Sequence, residues 1–388
     1  MTEPLHLALF IWATVYFSDY VWHGSLTRAR SLLLCGVVLF LGTLTRYDGW
    51  FAAGAFGLAA LLNELRSLVA PESRGRVLKS LVTFAALLAI GPALWFGYNA
   101  YVWGNPLEFA TGPYSARGIE QRTTPPGSPH HPGWRSPSVA AIHFVKAARL
   151  NLGEWRSGGR TWFPVAVIGS FALLLFAREL WPWLLLWVPL PFYALSIAYG
   201  GVPIFVPPWW PFSYYNVRYG IELLPALAVF FAAAVYFAFQ LRWPRFLKIA
   251  IVTAAICVAA ASYLTAWAEV PISLREAQIN SRSRNILEAA LADRLLRLPP
   301  DGTLLMYTGE HGGALQRAGI PLRRTINESN YRIWQQALAD PAGAAEYVVA
   351  ADNDPVGVAV AAHSAGLQVA ATIHTPEQPS VRVYRSRK

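Results

Sequence analysis

Three short polar stretches stand out in an otherwise apolar chain: "TEP" at residues 2–4, "LTRYDGW" at 44–50 and "SYYNVRYGIELLPALA" at 213–228. Each places an ionisable residue at the edge of a long apolar run. Arg46 and Arg218 carry guanidinium groups, whose planar fork matches phosphate oxygens. Tyr219 follows Arg218, and Tyr214, Tyr215 and Asn216 precede it. A cation among phenols at the mouth of a helical bundle suits an anionic headgroup or phosphate. Glu3 and Asp48 are the acids of the same stretches, and a carboxylate is a usual acceptor for the proton of an attacking hydroxyl.

Each stretch also has a plainer reading. Pro4 is pre-organised for the first helical turn, and Glu3 suits the positive end of the helix dipole, so capping alone explains that pair. Arg46 and Asp48 can satisfy one another across a tight turn. Arg218 and Glu222, four residues apart, can form an ordinary helix pair. Tyrosines populate any interfacial belt. His130 and His131, in "TTPPGSPHHPGW" (123–134), lack the spacing of a known metal motif. A solvated loop explains them, with a divalent metal as the alternative. No P-loop, dinucleotide fingerprint or nucleophile elbow is visible. No metal ligand and no cofactor is assigned.

The elements that hold these residues follow from composition. Charged residues make up 14% of the chain and hydrophobic ones 55%, against about 25% charged in a soluble domain. The apolar residues cluster into about eight runs long enough to cross a bilayer. They lie near 4–22, 31–46, 49–64, 79–102, 162–177, 180–199, 219–240 and 248–267. The expected fold is an all-α polytopic membrane bundle over residues 1–269, with a small C-terminal α/β domain over 270–388. In that tail "TLLMYT", "YVVAA", "LQVAATI" and "VRVYR" read as strands, and 282–297, 329–340 and 355–364 as helices. "GEHGG" (309–313) reads as a turn. A helix near 138–151 reads as one lying along the membrane interface.

Arg28 and Arg30, the cluster Arg66–Lys79, Arg178, and Arg242, Arg245 and Lys248 fall on one side if the spans alternate. That side is cytoplasmic by the positive-inside rule. The loops near 104–160 and 200–218, both termini and the C-terminal domain then lie outside, as expected for a multi-pass protein of a bacterial plasma (inner) membrane. The net charge of +10 reflects this loop bias. It forms no basic stripe on a soluble face, which excludes nucleic acid as a partner. Cys35 and Cys257 sit in apolar runs as packing residues, with no disulfide expected.

Five elements occur in a telling order: Glu3-Pro4, the loop with Arg28 and Arg30, "LGTLTRYDGW" (41–50), "YVWGNPLEF" (101–109) and "RYGIELLPALA" (218–228). Over about residues 1–270 this pattern resembles the polytopic glycosyltransferases of the GT-C fold, closest to glycosyltransferase family 39 and its bacterial relatives. The resemblance implies sugar transfer from a polyprenyl-phosphate donor to a lipid, glycan or protein acceptor at the outer membrane face. It implies that Arg46 and Arg218 bind the donor phosphate, with Tyr219 positioning it, and that Glu3 is the second acid of the site. Asp48 is a further acid near that face, away from the family position. The family's first acid lies on an outer loop before the acid-Pro motif and has no counterpart here. The resemblance therefore implies either spans ahead of Glu3 or a degenerate relative, and little or no transferase activity from these 388 residues alone. Two alternatives are a lipid-linked-sugar transporter or flippase, disfavoured by the lack of paired repeats and broken helices, and a catalytically silent membrane scaffold.

Overall fold

The computed structural model describes residues 2–22, 25–69, 71–113, 115–123, 127–153, 159–352 and 354–387. Thr124–Pro126 of the proline-rich loop and the loop residue Arg156 lie outside the described residues. The chain divides into two compact units, Met1–Gly97 with Phe109–Glu276, and Tyr98–Glu108 with Ala277–Lys388.

The long helices are α1 (Glu3–Trp22), α2 (Ser25–Thr43), α3 (Tyr47–Val69), α4 (Pro71–Trp103), α5 (Pro137–Asn151), α6 (Gly159–Phe176), α7 (Pro189–Tyr199), α8 (Leu224–Gln240), α9 (Arg245–Ala268) and α10 (Ile272–Leu295). Two 3-10 segments, Arg178–Trp187 and Val217–Leu223, lead into α7 and α8. Pro182 inside the first of them, and Pro189 at the start of α7, break the helical ladder there. Among the described residues, five helical stretches are long and apolar enough to cross a membrane: Arg74–Trp103, Gly159–Phe176, Arg178–Tyr199, Val217–Gln240 and Arg245–Leu295. The protein is thus helical and membrane-embedded, with a small sheet near its C-terminus. α1 falls outside that set because polar residues dilute its apolar run; four of them, Glu3, His6, Thr14 and Ser18, are buried.

The first unit packs by close backbone approach. Gly169 on α6 lies so near α8 that a Cβ there would collide with the Phe230 carbonyl. Small residues at such crossings drive helix association where lipid removes the hydrophobic incentive. Ala166 and Ala226, both fully buried, serve the same pair of helices. α5 was expected along the membrane interface. Seven of its fifteen residues are buried against the protein, Phe144, Ala147 and Ala148 among them. Phe144 stacks on Tyr193 of α7, ring centroids 4.5 Å apart.

The second unit holds a five-stranded sheet in the order β2-β1-β3-β5-β4. Its strands are β1 (Leu304–Met306), β2 (Thr325–Ile326), β3 (Tyr347–Ala351), β4 (Leu367–Ile373) and β5 (Val381–Ser386). β1 pairs parallel with β2 and β3, while β5 pairs antiparallel with β3 and β4. All five residues of β3 are buried, as a central strand covered on both faces requires. The four strands read from the sequence are present, and two-residue β2 is added. "GEHGG" is part of the helix Thr308–Arg317, not a turn. α10 starts well before residue 282.

The α6–α8 contact gives a direct test. Gly169→Ala is expected to cost about 1–3 kcal/mol through forced separation of the two backbones. Gly54→Ala on α3, where an added Cβ meets nothing within 4 Å, should be neutral or stabilising, because alanine is the better helix former. Thermal unfolding of both variants in detergent checks this; a Gly169→Ala midpoint at or above wild type would contradict it.

Candidate functional site

The turn between α2 and α3 is the first component. The Trp50 indole Nε1 donates to the Thr43 carbonyl at 2.9 Å. A Cβ on Gly49 would sit 2.5 Å from the Gly42 carbonyl oxygen, so only glycine lets the turn close this tightly. Closure holds Arg46 against the bundle interior, its side chain 14% exposed. Arg46 Nε reaches Asp48 Oδ2 at 2.8 Å and Oδ1 at 3.1 Å. Arg46 Nη2 donates to the Tyr193 hydroxyl at 2.9 Å, and that hydroxyl donates to Asp48 Oδ2 at 3.0 Å. Arg46 Nη1 lies 3.1 Å from Glu3 Oε1 at the start of α1. The expected Arg46–Asp48 pair is real, and it belongs to a network spanning α1, α3 and α7.

The 3-10 segment Val217–Leu223 is the second component. It is clamped at three points. Asn216 enters it with φ at 57°, a left-handed value that asparagine tolerates better than most residues, and its Nδ2 donates to the Pro203 carbonyl at 2.9 Å. Glu276 on α10 accepts the backbone N–H groups of Asn216 (2.7 Å) and Val217 (2.8 Å), which suits the positive start of a helical segment. Gly220 lies directly on α5, and a Cβ there would collide with the backbone at Ala147 and Ala148.

This clamped segment aims Arg218. Its Nε donates to Glu3 Oε1 at 2.9 Å, and its Nη1 lies 3.4 Å from Glu276 Oε1. The Tyr219 ring has Arg46 Cζ 5.1 Å and Arg218 Cζ 5.0 Å from its centroid, both within cation–π range. The Arg218–Glu222 pair does not form. A 3-10 helix has three residues per turn, so positions four apart leave a common face. Glu222 turns inward instead. It is 1% exposed, with Oε1 3.9 Å from Arg46 Nε and Oε2 3.9 Å from His6 Nε2. Neither oxygen has a hydrogen-bond partner among the described residues. His6 Nε2 lies 3.7 Å from Asp48 Oδ1. Donor atoms of His6, Asp48 and Glu222 all fall within 4.8 Å of one another.

Glu3, Arg46, Asp48, Arg218 and Tyr219 therefore converge in one cluster. Sequence reading missed His6, Tyr193 and Glu276 and gave Glu222 only a pairing role. His6 is one turn beyond Glu3 on a helix, a visible signal. Tyr193 is one tyrosine in an apolar run, and Glu276 sits in a charged helix; nothing local marks either.

A cavity of about 840 Å³ borders this cluster. Arg218, Tyr219, Tyr215, Glu120, His131 and Trp210 are among its walls. Glu3, Arg46 and Asp48 stand behind it. Gly201, with φ at 68°, lets the chain pass Glu120: a Cβ there would come within 2.9 Å of Glu120 Oε2. His131 Nε2 lies 3.1 Å from Glu120 Oε1, out of line for a hydrogen bond. His130 is exposed, as a solvated loop implies, whereas the His131 side chain is not. The His131 side chain is 4% exposed, and His130 stacks on Trp134 with ring centroids 3.7 Å apart. Burial, with the Tyr219 phenol beside it, pushes the Tyr215 hydroxyl above its ordinary value, so it is a neutral donor at neutral pH.

The chain matches no protein family, no curated protein and no solved structure.

The two arginines should differ in what their loss does to the fold. Arg46→Ala strips the buried Asp48 of its cation and is expected to cost about 3–5 kcal/mol. Arg218 is 35% exposed, and its partners keep other donors: Arg46 for Glu3, backbone N–H groups for Glu276. Arg218→Ala should cost about 1 kcal/mol or less. Equilibrium unfolding in mixed micelles compares them, and equal losses would contradict the assignment.

Proposed function

We propose that this chain is a GT-C type glycosyltransferase that moves a sugar from a polyprenyl-phosphate donor to a lipid, glycan or protein acceptor. The observation that carries this reading is the cavity whose walls hold Arg218 and Tyr219 together with the Glu120–His131 pair. Its lining comes from 116–131 and 201–219. Those are the two segments that an eight-span topology with cytoplasmic basic loops puts at the outer face of the plasma membrane, the side on which the C-terminal domain also falls.

The chemistry divides among the wall residues. The acceptor hydroxyl attacks the anomeric carbon as the bond to the donor phosphate breaks. Charge developing on the leaving phosphate is met by Arg218, already oriented by Glu3 and Glu276; such preorganised stabilisation is commonly the largest catalytic contribution. Glu120 accepts the hydroxyl proton and so fills the role for which the family pattern offered no residue. Glu3, the expected second acid, contacts both guanidinium groups. Its part is to hold them, and Asp48 does the same for Arg46.

Donor binding and turnover are measured separately on the purified chain. Arg218→Ala should weaken binding of a polyprenyl-phosphate sugar by about tenfold or more, roughly 1.4 kcal/mol. Glu120→Gln should leave binding intact and lower kcat by about 10²–10⁴-fold. Wild-type donor affinity in Arg218→Ala would remove the phosphate role. Donor binding without any transfer by the wild type would favour a flippase or scaffold.

A further inference from the structure

We infer that His6, Asp48 and Glu222 form a site for one divalent metal ion of borderline character, Zn²⁺ or Mn²⁺. One imidazole nitrogen and two carboxylates make a mixed donor set, suited to such ions over the hard, all-oxygen preference of Ca²⁺ or Mg²⁺. The closest donor atoms are 3.7 Å apart for His6 Nε2 and Asp48 Oδ1, and 3.9 Å for His6 Nε2 and Glu222 Oε2. Bonds of about 2.0–2.2 Å put neighbouring ligands of a tetrahedral ion roughly 3.4 Å apart. The two His6 pairs are within a few tenths of an ångström of that spacing, and all three donors lie within 4.8 Å of one another, so the site closes by drawing the two carboxylates together.

Two independent observations ask for a cation here. The first is Glu222. It is buried to 1% exposure, it points at His6 and Asp48, and both its oxygens lack a hydrogen-bond partner among the described residues. A carboxylate in that state pays a desolvation cost on the order of several kcal/mol, which Arg46 at 3.9 Å offsets only in part. The second is the local charge. Were all four ionised, Glu3, Asp48, Glu222 and Glu276 would outnumber Arg46 and Arg218 by two negative charges. A divalent ion removes both, and neutral His6 is the form that ligates it.

None of the three ligands lines the large cavity, so the ion is held behind the arginines. It cross-links α1, α3 and the 3-10 segment that bears Arg218. Its role is to fix that segment and to restore the positive field that the surplus carboxylates would cancel.

The test uses the full chain in detergent and no sugar donor, so it stands or falls apart from the transferase reading. Chelator-stripped protein is titrated with Zn²⁺ and with Mn²⁺ at neutral pH. Ion content after gel filtration, calorimetry and thermal unfolding are the readouts. One ion per chain is expected, with a melting point that rises with free ion, as linkage requires of a ligand held by the native state. Glu222→Gln keeps the shape of the side chain and should lose affinity by at least the 10–100-fold or so that disturbing a metal's supporting shell costs. His6→Gln carries the same expectation and replaces it if Glu222→Gln fails to fold. His130→Ala, remote from the three ligands, should bind like wild type. Folded wild-type protein that takes up no stoichiometric ion overturns the proposal and leaves a proton on Glu222 as the compensating charge. Undiminished binding in Glu222→Gln and His6→Gln, or its loss in His130→Ala, overturns it equally.

Discussion

The buried guanidinium of Arg46 is the interaction on which one end of the helical bundle depends. Its nitrogens reach Glu3 on α1, Asp48 at the start of α3 and Tyr193 on α7. A guanidinium can do this because its donors lie in a fixed plane and stay charged in any surroundings. The arrangement adds little net stability over a well-packed apolar core, since desolvation offsets most of the Coulomb gain. What it supplies is registry. The bonds to Asp48 and Tyr193 are met together only if the α2–α3 turn, α1 and α7 hold one relative placement. A slip by one residue along any of these helices would leave a charge buried and unpaired.

A second constraint acts on the 3-10 segment Val217–Leu223. Three residues per turn send Arg218 and Glu222 in different directions, one towards the cavity and Glu3, the other towards His6. An α-helix would have stacked them on one face and joined them to each other. The tighter coil is sustained by Glu276 on its leading N–H groups and by Gly220 against α5. Local geometry thereby decides which carboxylate meets which cation. The cavity wall receives an arginine whose far side is already neutralised, so its free edge can face a ligand without reorganising.

Much of this was legible in the sequence, for a physical reason. Ionisable residues at the ends of apolar runs need partners, and Glu3, Arg46, Asp48 and Arg218 found them in each other. Tyr219 was singled out by the resemblance, and in the structure its ring lies within cation–π range of both arginines. Tyr193 and Glu276 were not legible, since their significance comes only from which helices touch. Glu222 was visible but misassigned, because spacing of four implies a pair only if the helix is α. The packing of α5 was not legible either: its apolar positions suit a membrane surface or a protein contact equally, and only Gly220 opposite it shows the contact. In the tail, β2 spans two residues, too few to show a strand period, and "GEHGG" hid a helix because glycine pairs signal turns.

The distribution of charge between wall and interior links the site's parts. A phosphate-binding surface must present net positive charge, yet an arginine cannot be buried beside it without carboxylates behind. Here four carboxylates stand against two guanidinium groups, and Asp48 and Glu222 are not among the cavity's walls. Electrostatic influence falls with distance but falls slowly in a medium of low dielectric constant. Left unbalanced, two surplus charges would weaken the attraction of Arg218 for any anion. The proposed cation at His6, Asp48 and Glu222 would offset them at their source without occupying the wall. On that proposal the residue facing the ligand would remain a plain arginine, with its support one layer deeper in α1, α3 and the 3-10 segment.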